Sequence, residues 1–165
     1  MRVYLPTTLP RLAAAAAAGA FAADGDTGLV AHAVTHAVRE WYTEGDLEEL
    51  EYTALVDAAQ GCLRLLADEP DSPRRRVVVA ADVPEGSVRP VPDEGRSRVA
   101  LTGPVRLSAV ASVHLDEPEA APTVTAAVEA LPAADAGDDD ARFAVDEAEA
   151  CDLLWYDVSE IAHLT

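Results

Sequence analysis

The chain has 165 residues, enough for one domain with its own core, and half of it is apolar. Its 30 acidic residues face 12 basic ones, all arginine, for a formal charge of −18. A field this negative repels nucleic-acid phosphates and anionic membrane surfaces, so neither is an expected partner; a protein with a basic surface is.

Val3-Tyr4-Leu5 reads as a short strand. The alanine run after Arg11, followed by small residues at 19–23, imitates a secretory leader. A helix over residues 8–19 accounts for more of the pattern: Thr7 or Thr8 caps it, Pro10 suits its first turn and Gly19 ends it. Residues 19–28, rich in Gly and Asp, read as a loop. Leu29 to Thr35 is a predicted strand, because Val30, His32 and Val34 alternate with Ala31 and Ala33. His36 to Tyr42 follows as a short helix or turn.

The clearest helix runs from Leu47 to about Ala67, with Leu50, Ala54, Ala58 and Cys62 at helical spacing and Asp46 with Glu49 as a capping box. Pro70 and Pro73 stop it. The β-branched run in Arg76–Val83 predicts a strand buried on both faces, and residues 84–96 a surface loop. Val99–Thr102 and Val110–Leu115 are further strands, Thr123–Leu131 a short helix. Asp138, Asp139 and Asp140 open a last helix in which Ala144, Ala148 and Cys151 share a face, and Leu153–Val158 is a final strand. Both cysteines thus fall in helical apolar stripes, as buried free thiols. The expected fold is α/β, with α+β as the alternative: a single domain over residues 1–165, built on a mixed sheet of five or six strands with helices packed on it.

In open α/β sheets ligands gather beyond the carboxyl ends of the strands. That rule collects Thr7, Thr8, His36, Asp82, His114 and Asp116 as candidate ligand-binding residues, Thr7 and Thr8 at a helix start that offers free N–H groups to an anion. His32 and His36 have the four-residue spacing of a metal pair, but a strand at 32 spoils the geometry; no metal and no cofactor is expected. The Asp135–Asp146 stretch lacks the glycine and the third-position ligand of a calcium loop. Trp41-Tyr42 and Trp155-Tyr156, with Arg39, form a candidate interaction surface, although scarce tryptophans favour core placement. No nucleophile elbow, phosphate loop or dinucleotide fingerprint occurs.

Several blocks are familiar together: Met1-Arg2-Val3-Tyr4-Leu5-Pro6-Thr7-Thr8-Leu9, Val38-Arg39-Glu40-Trp41-Tyr42, Glu48-Glu49-Leu50-Glu51-Tyr52, Arg75 to Val83, and Phe143 to Glu149 leading into Leu153-Leu154-Trp155-Tyr156. They resemble a family of small, acidic, uncharacterised actinobacterial proteins, a domain of unknown function. The resemblance spans nearly the whole chain. It implies one unsecreted domain whose first residues belong to the fold, and it supplies no activity or site residues. The expected function is that of a cytoplasmic binding or regulatory protein acting through protein contact. The alternative is a small-molecule (anion) binder or small enzyme at the strand ends; self-association through a sheet edge or the Trp-Tyr surfaces is a third reading.

Overall fold

The computed structural model describes residues 1–23 and 28–165. Among them lie nine strands: β1 (Arg2–Thr7), β2 (Ala20–Phe21), β3 (Leu29–Ala33), β4 (Val77–Asp82), β5 (Val88–Pro90), β6 (Arg98–Leu101), β7 (Val105–Arg106), β8 (Val110–Asp116) and β9 (Leu153–Tyr156). The α-helices are α1 (Leu9–Ala18), α2 (His36–Trp41), α3 (Leu47–Asp68), α4 (Ala121–Asp135), α5 (Asp139–Glu147) and α6 (Ile161–Leu164). Part of the loop expected at 19–28 lies outside the described residues.

The main sheet has the order β5-β6-β3-β1-β4-β8-β9, and β2 pairs with β7 in a small second sheet. β1 sits at its centre because Val3, Tyr4 and Leu5 bury on alternate faces. Val3 and Leu5 meet Leu12, Ala15, Phe21 and Ile161 on the face that α1 and α6 cover. Tyr4, Val78 and Ala80 meet Ala54, Ala58, Ala59 and Cys62 of α3 on the other. Alanine on alanine at this second face lets the helix lie close to the strands. The outer side of α3 buries Leu63 and Leu66 against Val124, Ala127 and Leu131 of α4, with Val145 of α5 in the same cluster. No helix among the described residues is long and apolar enough to cross a membrane.

The mixed sheet of five or six strands is corrected to seven strands, each antiparallel to its neighbours, plus the two-stranded sheet; the mixture of helix and strand fits. β3 and β4 both run against β1 and are therefore parallel to each other. The parallel relation that strand–helix–strand alternation implies exists across α3, but β1 is inserted between its two strands. The α1 excursion permits this. Thr7, Phe21 and Leu29 line one hollow, so the chain leaves β1 and enters β3 at the same end, as an antiparallel neighbour must.

The reading of residues 84–96 as loop alone is also corrected, since they contain the edge strand β5. Its Pro90 is tolerated because only one side of an edge strand needs donors. Cys151 lies beyond α5 rather than in its stripe, and is half-buried; Cys62 is fully buried, and both are free thiols.

Candidate functional site

The antiparallel sheet scatters the residues gathered by the strand-end rule. β3 and β4 both end beside the start of β1, where Arg2 faces Asp82, so His36 and Asp82 leave from that end. Thr7 faces Val77 at the opposite end. Thr8 is buried as the cap of α1 and donates to Glu69 Oε2 at 2.8 Å. Asp82 takes a two-pronged contact from Arg2, 2.8 and 2.9 Å, which holds its carboxyl below the usual range. His36 is exposed, 3.2 Å from Glu40. His114 lies half-buried on β8, 3.0 Å from the Ser112 hydroxyl. Asp116 shares the Thr7 end of the sheet but is wholly buried with Arg76. Its Oδ2 accepts from the Arg76 backbone N–H and Nε at 2.7 and 2.9 Å, and its Oδ1 from the guanidinium at 2.7 Å.

Core placement of the tryptophans is corrected as well: Trp41 is 61% and Trp155 60% exposed. The two Trp-Tyr pairs do not share a cleft. Trp41 stacks on Arg96, just before β6, whereas Trp155 is on β9, five strand spacings or about 24 Å across the sheet. Arg39 is exposed on α2, and Tyr156 is half-buried on β9.

A different constellation does converge. A cleft of about 550 Å³ lies where α3, the α4–α5 pair and the segment entering β6 meet, and His32 is in its lining. His32 is on the α3 face of β3, opposite Tyr4 and Arg98. Its Nδ1 is 2.8 Å from Ser97 Oγ, and the Ser97 hydroxyl donates to Asp57 Oδ2 of α3 at 2.5 Å. The serine has one proton and gives it to Asp57. Its oxygen therefore accepts from His32, so the proton of the neutral ring is on Nδ1 and Nε2 is an acceptor. Burial lowers the His32 pKa to about 4, with Asp57 opposing and Arg98 assisting, so the ring is neutral at pH 7. Nε2 makes no hydrogen bond among the described residues and is not shut away from solvent.

Local sequence explains how this is held. Gly61 of α3 packs on the strands so tightly that a Cβ there would stand 3.3 Å from the Pro6 ring and 3.7 Å from His32 Nε2. Any side chain at 61 would press on β1 and cover the ring nitrogen. Gly95, at φ +142°, turns the chain into the Arg96-Ser97-Arg98 run in a conformation that other residues rarely adopt. That run is tied to β3 and α2: Ala33 N–H donates to the Ser97 carbonyl at 2.8 Å, and the Thr35 hydroxyl, while capping α2, donates to the Arg96 carbonyl. Arg96 is thereby placed with its guanidinium carbon 3.6 Å from the centre of the Trp41 ring, a contact worth about 0.5–1 kcal/mol when exposed.

The walls carry opposite charges. Arg64 makes a two-pronged pair with Asp135, both contacts 2.8 Å, which lowers the Asp135 pKa; Arg98 pairs with Glu94 at 2.8 Å, and Gln60 donates to Glu149. Among the described residues no cluster of three or more His, Cys, Asp or Glu is placed to hold a metal ion. The arrangement offers a neutral nitrogen acceptor at its base and guanidinium donors at its rim.

Sequence reasoning considered His32 only as half of a metal pair and passed over Ser97 and Asp57. These residues are 65 and 40 positions apart along the chain and match no motif. The one available signal was a histidine in phase with Val30 and Val34 on one face of an apolar strand.

No curated protein and no solved structure matches the chain. The model of a family of unknown function (DUF6912) matches residues 1–165, and the chain belongs to that family.

Proposed function

We propose that this protein binds a small polar molecule in the cleft over His32. The observation that carries the reading is the Asp57–Ser97–His32 chain, an oriented hydrogen-bond relay, buried at Ser97 and His32 and half-buried at Asp57, whose last acceptor, Nε2, is unused among the described residues. Buried polar groups are costly when unpaired, so an oriented acceptor facing a cleft of this size is a feature to be met by a ligand donor. Nitrogen-15 NMR of the full chain, titrated with a library of small polar fragments, tests the reading. A binder is expected to shift the His32 ring signals and Ser97 together, and His32→Phe to abolish the effect. A library that leaves the His32 nitrogens unmoved throughout overturns it.

A second reading rests on a separate observation. Trp41, Tyr42, Leu47 and Tyr52 are all exposed around the start of α3, and Tyr42 and Tyr52 line one shallow groove. Such a patch supports contact with a protein, and the charge of −18 favours a partner with a basic surface. Specific capture that Trp41→Ser and Tyr52→Ser both abolish is the expected result. The reading includes a cytoplasmic location, which two free thiols support.

A further inference from the structure

We infer that the outer edge of β9 takes up an extended, basic segment of another protein as an additional strand of the main sheet. The two edges of that sheet, β5 and β9, are built differently. At β5, Val91 N–H donates to the Arg98 carbonyl and Thr102 N–H to the Ser87 carbonyl, both at 2.9 Å, so Ser87, Arg89 and Val91 turn their backbone groups to β6. Val88 and Pro90 therefore face outward. Val88 spends its N–H on the Glu85 carbonyl, and Pro90 has none. The β5 edge is closed to a further strand, as sheet edges commonly are.

At β9 donors remain. Asp116 N–H donates to the Arg76 carbonyl at 3.1 Å, so Asp116 and His114 turn their backbone groups toward β4, and Leu115 and Val113 turn theirs toward β9. Leu154 and Tyr156 face Leu115 and Val113, which leaves the N–H and C=O of Leu153 and Trp155 on the open side. Among the described residues these groups make no hydrogen bond. Their neighbours are spent: Cys151 N–H goes to the Ala148 carbonyl and Asp157 N–H to Glu160 Oε2. The strand itself carries neither proline nor charge, and Leu154 and Trp155 are both exposed, one on each face of the sheet.

Charge selects the occupant. Asp152 and Asp157 flank β9, both exposed, and from Phe143 to Ala162 the chain carries six acids and no base. Of the arginines that reach this end of the sheet, Arg76 is neutralised by Asp116, and Arg75 donates to the Asp116 carbonyl. A second copy of the chain would set the same acidic flanks against each other, with −18 on each molecule and only two outward residues per strand to hold them. A basic segment meets both features. Its backbone pairs with Leu153 and Trp155, and its β-branched side chains lie beside Trp155 and Leu154. Asp152 and Asp157 are about 17 Å apart along an extended chain, so Lys or Arg residues five positions apart in the segment match them.

A phage-displayed library of random dodecapeptides, selected on the full chain, tests this, with the most enriched peptide then synthesised and titrated. It is expected to carry a β-branched run between basic residues. On binding it should slow hydrogen exchange of the Leu153 and Trp155 N–H groups, fast in the free chain, and leave those of Leu154 and Tyr156, already bonded to β8, unchanged. Leu153→Pro removes one outward donor at the first strand position, where proline is tolerated, and Trp155→Lys sets a like charge against the segment. Each is expected to weaken binding about tenfold or more, and Trp41→Ser to leave it unchanged. A selection that enriches nothing, peptides without a basic excess, or binding that leaves both amides exchanging overturns the inference. Binding that Trp41→Ser abolishes also overturns it and leaves the patch at the start of α3 as the contact surface. Protection of the same two amides without peptide, rising with protein concentration and accompanied by a doubled mass in sedimentation, overturns it in favour of a second copy of the chain.

Discussion

At the scale of single residues, buried His32 and buried Arg76 make opposite demands. His32 is held neutral by burial, with a pKa near 4 against an ordinary value of 6.5, so below pH 6.5 the unfolded chain binds a proton that the folded one refuses. Stability is complete above pH 6.5 and falls as pH drops to about 4, by up to about 3 kcal/mol. His114, also lowered by burial, adds to the same slope, whereas Asp82, Asp135 and Asp157, held low by hydrogen bonds, give way only below the usual carboxylate range. Urea melts across pH 4–7 should show a shallower fall for His32→Asn than for the natural chain. Arg76 is the reverse case: burial pushes its pKa down, and Asp116 more than restores it. Asp116→Ala strands a charge that is 2% exposed and is expected to cost about 3–5 kcal/mol in denaturant unfolding. Replacing both partners with apolar residues of like volume is expected to recover most of that loss.

At the scale of elements, α3 carries the most responsibility. It lies over β1, presents Asp57 to Ser97, leaves His32 open at Gly61 and supplies Arg64 to α4. Its start is set by the Asp46–Glu49 capping box, with contacts of 3.0 and 3.1 Å. Asp46→Ala is therefore expected to cost about 1 kcal/mol of global stability. It should also raise hydrogen exchange in the first turn of α3, next to Tyr52 of the shallow groove. This helix was legible from its apolar spacing and caps because those signals are local. β5 was not, because a three-residue edge strand ending in Pro90 resembles a loop until β6 lies beside it.

At the scale of the whole molecule, a charge of −18 must strain the compact state by self-repulsion. Raising salt from 10 to 500 mM shortens the Debye length from about 30 Å to under 8 Å. The thermal midpoint is expected to climb by a few degrees as a result; an unchanged midpoint would mean that local pairing already neutralises the field. By itself, the sequence determined that helices and strands are mixed, where the long helix begins, that Val77 to Ala81 is buried on both faces and that residues 2–18 form a strand and a helix. Each of these follows from periodicity or capping within a few turns of chain. Only the tertiary structure decided that β1 enters between β3 and β4, and with it which strand ends share a side. It also decided that Asp57, Ser97 and His32 form one relay in the lining of a cleft. Those choices depend on pairings between residues tens of positions apart, which no local pattern encodes.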